Sequence, residues 1–118
     1  MSLASNILIT FIALLHIYFL VLEMFLWDKP LGMKTFGLSK EFAAASKVLA
    51  ANQGLYNGFL AAGLLWGLSF GVSGFYIKVF FLSCILIAGI YGAYSTGRKK
   101  ILVIQAIPAG IALALLHF

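Results

Sequence analysis

Charge is scarce in this sequence. Only 9% of its 118 residues are charged, and just three of them are acidic. Soluble domains carry about 25% charged residues, and a soluble chain this short could not hide so much apolar surface. Because 64% of the residues are hydrophobic, the composition excludes an ordinary soluble domain. It predicts a multi-pass protein of the cell membrane.

Chemistry-bearing motifs are scarce as well. A single cysteine, Cys84, excludes an internal disulfide and leaves the redox compartment open. The sequence has no cysteine or histidine pair at metal-ligand spacing, no glycine-rich phosphate loop and no convincing Ser-His-Asp set. We therefore expect no metal site and no cofactor, and no soluble-enzyme class is indicated.

What the sequence does contain is four apolar runs, each close to the ~20 residues needed to cross a bilayer. They predict helices over about 5–27, 40–70, 75–95 and 101–117. The predicted fold is all-α, with residues 1–118 forming one integral membrane domain, a four-helix transmembrane bundle. No cation precedes the first run and no cleavage site follows it, so we expect a retained helix and not a secretory signal.

The segments between the runs carry helix signals. Pro30 stops the first helix, because the residue before a proline disfavours the helical region. The connector that follows, about 28–38, has glycines typical of turns. Ser39 is placed to cap the second helix, with Glu41 in its first turn. In the fourth run, Pro108 frees the carbonyl group of the residue four positions earlier, beside a glutamine.

Cation placement predicts the orientation. With four crossings, the 28–39 connector and the 96–100 loop lie on one side together with the start of the second helix. That side holds seven of the eight cations. The eighth, Lys78, lies one turn into the third helix, where it can snorkel to the interface. The positive-inside rule then places both loops in the cytoplasm and both termini outside. Because the cations border a membrane, we expect no nucleic-acid partner.

The second helix has a polar face. At about 100° per residue, Asn52, Gln53, Tyr56 and Asn57 fall within an arc of roughly 140°. Hydrocarbon offers amide side chains no hydrogen-bond partner. We therefore predict that the three amides point into the bundle and that the other helices are organised around this one.

Other polar residues are predicted at the same depth. Glu23 lies about one turn, roughly 6 Å, from the cytoplasmic end of the first helix, and ionisable residues inside membranes are functional by default. We predict that Glu23 contacts Asn52, Gln53 or Tyr56 and is the chemically active member of a polar pocket in the cytoplasmic leaflet. The predicted ligand-binding residues are Glu23, Asn52, Gln53, Tyr56, Asn57, Tyr91, Gln105 and His16.

Three functions stay open at this point, because amides also hold membrane helices together and tyrosines also mark membrane interfaces. These functions are binding or translocation of a small molecule or ion, catalysis as an oligomeric membrane enzyme, and a role as an assembly subunit. Desolvation favours the neutral form of Glu23 and hydrogen-bond donors favour its charged form. The expected partners are the lipid bilayer, a small-molecule ligand and one or two further copies of the chain.

Several stretches resemble a known family. They are His16–Trp27, Phe36–Ser39, Ala50–Gly63 with its Asn-Gln-Gly-Leu-Tyr-Asn-Gly run, Tyr91-Gly92 and Gln105–Pro108. Together they cover nearly the whole chain, and they resemble the small four-helix membrane proteins grouped as domain of unknown function 1304. The resemblance implies an integral membrane protein and brings no activity with it.

A second resemblance is more distant. Asn52 and Tyr56, four residues apart, are similar to a pair in the membrane-associated eicosanoid and glutathione metabolism proteins. Those are four-helix chains that assemble as trimers with the first and third loops in the cytoplasm. Their pattern also has an arginine and a glutamate, and the corresponding positions here are Val48 and Leu55. The resemblance therefore implies a topology and an oligomer without the charges that hold glutathione.

Overall fold

The computed structural model describes residues 2–118, and that range is helical with no strand. The prediction of an all-α fold is confirmed. The helices are α1, Leu3–Phe25; α2, Pro30–Phe36; α3, Lys40–Ser69; α4, Phe75–Thr96; and α5, Lys99–Leu116. The four long helices agree with the sequence-based bounds to within two residues, which is the usual uncertainty of a helix end.

The connector before α3 is helical, so the prediction of a turn-like segment there is wrong. Pro30 occupies the start of α2, where its fixed φ angle suits a helix and its missing N–H is not needed. Gly37 ends α2 with φ 65°, a left-handed conformation that glycine adopts without strain. The predicted cap of α3 is confirmed, because the backbone N–H of Phe42 donates to Ser39 Oγ at 3.1 Å.

Three segments are long and apolar enough to cross a membrane: Leu3–Phe25, Gly71–Thr96 and Lys99–Leu116. Their composition is that of a membrane protein. α3 is the longest helix, at 30 residues, but it is less apolar than these three because amides and glycines occupy its middle. Of the four predicted membrane-crossing helices, three are therefore supported by length and composition.

The chain folds as two compact units. Unit 1 holds the described residues up to Ala13 together with Leu60–Phe118, and unit 2 holds Leu14–Phe59. Segments of α1 and α3 therefore occur in each unit. Whether the whole chain behaves as one domain stays a prediction.

Unit 1 has an apolar core to which α1, α3, α4 and α5 all contribute. Its fully or nearly fully buried side chains are Ile9, Ile12, Ala13, Ala61, Leu64, Leu82, Ile85, Ala109, Ala112 and Leu116. At about 25 cal/mol per Å² of buried apolar surface, such a core stabilises a water-soluble protein strongly. In lipid the same residues stabilise the fold mainly through close packing.

Helix α5 contains a wide turn. Leu102–Ala106 adopts a π-helical conformation, and Pro108 follows it at the start of the regular helix Ile107–Leu116. Proline has no N–H to donate to the carbonyl group of Ile104, and its ring crowds that group. A π turn directly before the proline accommodates both effects without breaking the helix.

Candidate functional site

In unit 2, α1 and α3 approach closely at two glycines of α3. A Cβ atom on Gly54 would lie 2.7 Å from Met24 Cγ and 3.0 Å from Glu23 Cβ. A Cβ atom on Gly58 would lie 2.6 Å from Leu20 Cδ1. Small residues four apart allow this kind of backbone approach between membrane helices. Their spacing is a sequence signal that our prediction of the site did not use.

The close approach brings an acid and an amide together. Asn57 Nδ2 donates a hydrogen bond to Glu23 Oε1 at 2.5 Å. The Asn57 side chain is buried, with 6% of the residue exposed, whereas Glu23 is half-buried. The carboxyl group is therefore fixed from one side by α3, and the residue is only partly buried.

Two further polar contacts join the same parts of the chain. Trp27 Nε1 donates to Ser46 Oγ at 3.0 Å, and the Ser46 hydroxyl donates to the Phe42 carbonyl oxygen at 2.6 Å. Lys47 Nζ lies 3.0 Å from Asp28 Oδ2. Neutral hydrogen bonds of this kind contribute about 1 kcal/mol each, and an exposed ion pair contributes less. Together they fix the segment after α1 against the first turns of α3.

The Asp28–Lys47 pair gives a testable pH dependence. The hydrogen bond from the Lys47 ammonium holds the pKa of the Asp28 carboxyl below its usual range. A lowered folded-state pKa means that the pair's small stabilisation is present above the unfolded-state pKa and is lost as the pH falls through the folded-state value. We expect Lys47→Met to raise the pKa of Asp28 towards its usual value of about 3.9.

Asp28 is the sole aspartate in the sequence, so a carbon-13 NMR titration with labelled aspartate reports on it directly. Lys40→Met serves as the control, because it removes a cation of the same helix without removing the partner of Asp28. An unchanged Asp28 pKa in Lys47→Met would contradict the interpretation.

The hydrogen-bond partner predicted for Glu23 is wrong. Asn57 supplies the bond, and Asn52, Gln53 and Tyr56 are exposed in the chain. The stripe of α3 that faces α1 passes through Ala50, Gly54 and Asn57, so residues 52 and 56 turn away from it. The expectation that Asn52 and Gln53 point into the bundle is likewise not met within the chain.

The remaining predicted site residues divide between the units. His16 is fully buried in unit 2, and its ring packs edge-on against Phe19 with 5.4 Å between the ring centroids. Tyr91 and Gln105 belong to unit 1, where Tyr91 is 67% exposed and Gln105 is half-buried. Their convergence with Glu23 on one ligand stays a prediction.

Sequence reasoning missed the environment of Lys78 in unit 1. Its side chain is fully buried and does not snorkel to a surface. Lys78 Nζ donates to Asn6 Oδ1 and to the Gly71 carbonyl oxygen, both at 3.3 Å. A Cβ atom on Gly67 would lie 2.9 Å from Lys78 Cγ, so that glycine makes room for the lysine stem. The sequence signal that could have predicted this burial is a cation inside an apolar run.

The open grooves among the described residues include two that Glu23 does not line. One, of about 460 Å³, runs between α4 and α5 and is lined by apolar side chains such as Leu86, Ile90 and Ile111. The other, of about 320 Å³, lies along α1 beside Leu3 and Thr10. In residues 2–118, no group of three or more His, Cys, Asp or Glu side chains comes together.

The chain is similar in sequence to known proteins. Residues 10–117 match the sequence profile of a family described as "Protein of unknown function (DUF1304)". The chain is also similar to the "Uncharacterized protein YpaA" of Lactococcus lactis subsp. lactis (strain IL1403). The two are 32% identical over 104 residues, which cover 86% of this chain and 87% of the relative. No solved structure matches the chain significantly.

Proposed function

The chain belongs to the DUF1304 family of proteins of unknown function, and we propose that it is a multi-pass cell-membrane protein that binds a small cationic ligand at Glu23. The observation that carries this proposal is the Glu23–Asn57 contact. It places an acid inside a helix long and apolar enough to span a membrane, and a buried amide fixes this acid, which is only partly buried itself.

The chemistry of the contact favours a positively charged ligand. Asn57 donates to one carboxyl oxygen, Glu23 Oε1, so the second oxygen remains a candidate acceptor. A carboxylate in an apolar surrounding interacts strongly with a positive charge, because the effective dielectric constant is low. Ionisable groups inside membranes mark ion and proton pathways for this reason. A small organic cation, a metal cation or a proton fits this chemistry.

In the proposed topology α3 crosses the membrane in addition to α1, α4 and α5, and both termini lie outside. The seven-to-one division of cations supports it. Reporter fusions at Phe118 test it: we expect activity from an external reporter and none from a cytoplasmic one. A cytoplasmic signal at Phe118 would reverse the orientation and move Glu23 to the external leaflet.

Binding of tetraphenylphosphonium, a permanent organic cation, to the detergent-solubilised protein tests the proposed function. We expect Glu23→Gln, which keeps the shape and removes the charge, to weaken binding at least about tenfold, equivalent to 1.4 kcal/mol. Binding to the wild type should weaken as the pH falls, because protonation neutralises the carboxylate, and this pH dependence should be absent from Glu23→Gln.

The chain offers matched controls for this experiment, because its other two acids are Asp28 and Glu41. We expect Asp28→Asn and Glu41→Gln to retain both the affinity and the pH dependence. If Glu23→Gln retained them as well, Glu23 would be only a contact between helices, and the assembly-subunit function would take first place.

That second candidate has an observation in its favour. The Glu23–Asn57 bond joins α1 to α3, as a contact that holds the helices together would. Loss of the folded protein in Asn57→Leu, together with unchanged cation binding in Glu23→Gln, would support the assembly function. The third candidate, a glutathione-dependent enzyme, has uncharged residues at the two positions that the resemblance requires, Val48 and Leu55.

A further inference from the structure

One face of α3 in unit 2 carries neutral polar groups on its outside. Asn52 and Gln53 are exposed. Tyr56, which lies between them around the helix axis, is 54% exposed. Leu49 and Phe59, 75% and 57% exposed, border them. We call these five residues the α3 polar face. It is distinct from the stripe that packs on α1.

The α3 polar face lies at membrane depth. Gly54, adjacent to Gln53 in the sequence, packs against Leu20 and Met24 of α1. Both belong to the segment Leu3–Phe25, which is long and apolar enough to span a membrane. Because one residue of helix rises only about 1.5 Å, the Gln53 amide lies beside a membrane-spanning stretch.

The chain itself provides few hydrogen-bond partners for the polar groups of this face. Asn52 Nδ2 donates to the Val48 carbonyl oxygen of its own helix at 2.9 Å. The Gln53 amide makes no hydrogen bond to any described residue. The Tyr56 ring packs on Phe59, with 6.2 Å between the ring centroids. Amide groups left facing hydrocarbon are costly, so we expect a hydrogen-bonding partner to cover them.

We infer that this partner is a second copy of the chain, bound through the same face. Residues 48–77 contain no Asp, Glu, Lys or Arg, so the face presents no charge for an oppositely charged partner to match. A side-chain amide both donates and accepts, which makes a row of amides complementary to itself. A two-fold axis places identical patches against each other.

The geometry of this dimer follows from the membrane. Two copies of the same orientation are related by an axis along the membrane normal, so each α3 runs parallel to its counterpart. Gln53 then lies close to the Gln53 of the second copy, and the amides can bond across the axis. The aromatic and aliphatic borders provide close packing around them, as in other membrane helix pairs. This inference does not depend on a ligand at Glu23.

Cysteine cross-linking in native membranes tests the interface. In a Cys84→Ser background, we expect Gln53→Cys and Tyr56→Cys to form disulfide-linked dimers on mild oxidation. Leu55→Cys is the matched control, because residue 55 is 40% exposed at the same depth but points about 100° or more away from the centre of the face. Cross-linking at 55 as strong as at 53, or links to a different protein, would overturn the inference.

A second measurement does not rely on cysteine. Native mass spectrometry should give a dimer for the wild type. We expect Asn52→Leu with Gln53→Leu to weaken dimerisation at least about tenfold while the helical circular dichroism spectrum is unchanged. A wild-type mass of one chain, or a dimer that the double variant leaves equally stable, would contradict the inference. Tetraphenylphosphonium binding measured on the same double variant reports separately on Glu23.

Discussion

Replacing Gly89 by alanine is expected to lower the free energy of unfolding by roughly 3 kcal/mol, at the upper end of the usual cost of overpacking. Gly89 is buried in α4 of unit 1. A Cβ atom there would lie 2.6 Å from the Ala106 backbone nitrogen and 3.0 Å from Ala106 Cα. These atoms belong to the backbone of α5 and cannot rotate away, so the two helices would have to separate.

Gly110→Ala is the matched control for this prediction. The nearest atom to a Cβ atom at position 110 is Leu86 Cδ1, at 3.9 Å, which is an ordinary contact. Alanine also has the higher helix propensity, by about 1 kcal/mol in soluble helices. We expect Gly110→Ala to be neutral or slightly stabilising in detergent-induced unfolding. Equal stability of Gly89→Ala and Gly110→Ala would show that α4 and α5 do not pack through Gly89.

The second large effect is expected at Asn57. Asn57→Ala removes a buried amide from Glu23 Oε1 and leaves the carboxyl group without that donor. A hydrogen bond to a charged group contributes about 1.5–3 kcal/mol in soluble proteins, and membrane examples fall near or below the lower value. We expect a loss of roughly 1.5 kcal/mol in the unfolding free energy.

A double-mutant cycle isolates the contact from other effects of the substitution. Glu23→Ala and Asn57→Ala are measured singly and together, and we expect a coupling energy of about 1 kcal/mol or more. Asn52 provides the comparison: it shares the helix but bonds locally to the Val48 carbonyl oxygen. Its cycle with Glu23 should therefore be additive. Additive effects of Glu23 and Asn57 would mean that the two side chains do not interact.

Much of the fold followed from local signals in the sequence. The bounds of the long helices were predictable because the apolar runs and the Ser39 cap mark helix ends through chemistry that acts within a few residues. The helix α2 was missed because Lys29, Pro30, Gly32 and Lys34 resemble a turn by composition. Its formation depends on proline at the first position and on glycine after the last.

The candidate site was predicted less completely, because contacts between helices depend on rotation about the helix axis. The sequence indicated that Glu23 contacts Asn52, Gln53 or Tyr56, and the structure places Asn57 there instead. The choice is made by Gly54 and Gly58, which set the face of α3 that α1 can approach. Lys78 is buried for a similar reason, because Gly67 leaves space for the lysine stem.

Cation binding by the Glu23 carboxyl can be tested by infrared spectroscopy on a single labelled group. The sequence has two glutamates, Glu23 and Glu41, so carbon-13 glutamate in a Glu41→Gln background labels only Glu23. We predict that adding tetraphenylphosphonium shifts the labelled carboxyl band, and that the shift saturates with the binding isotherm. A band that stays unchanged while the cation binds would show that the Glu23 carboxyl is not the binding group.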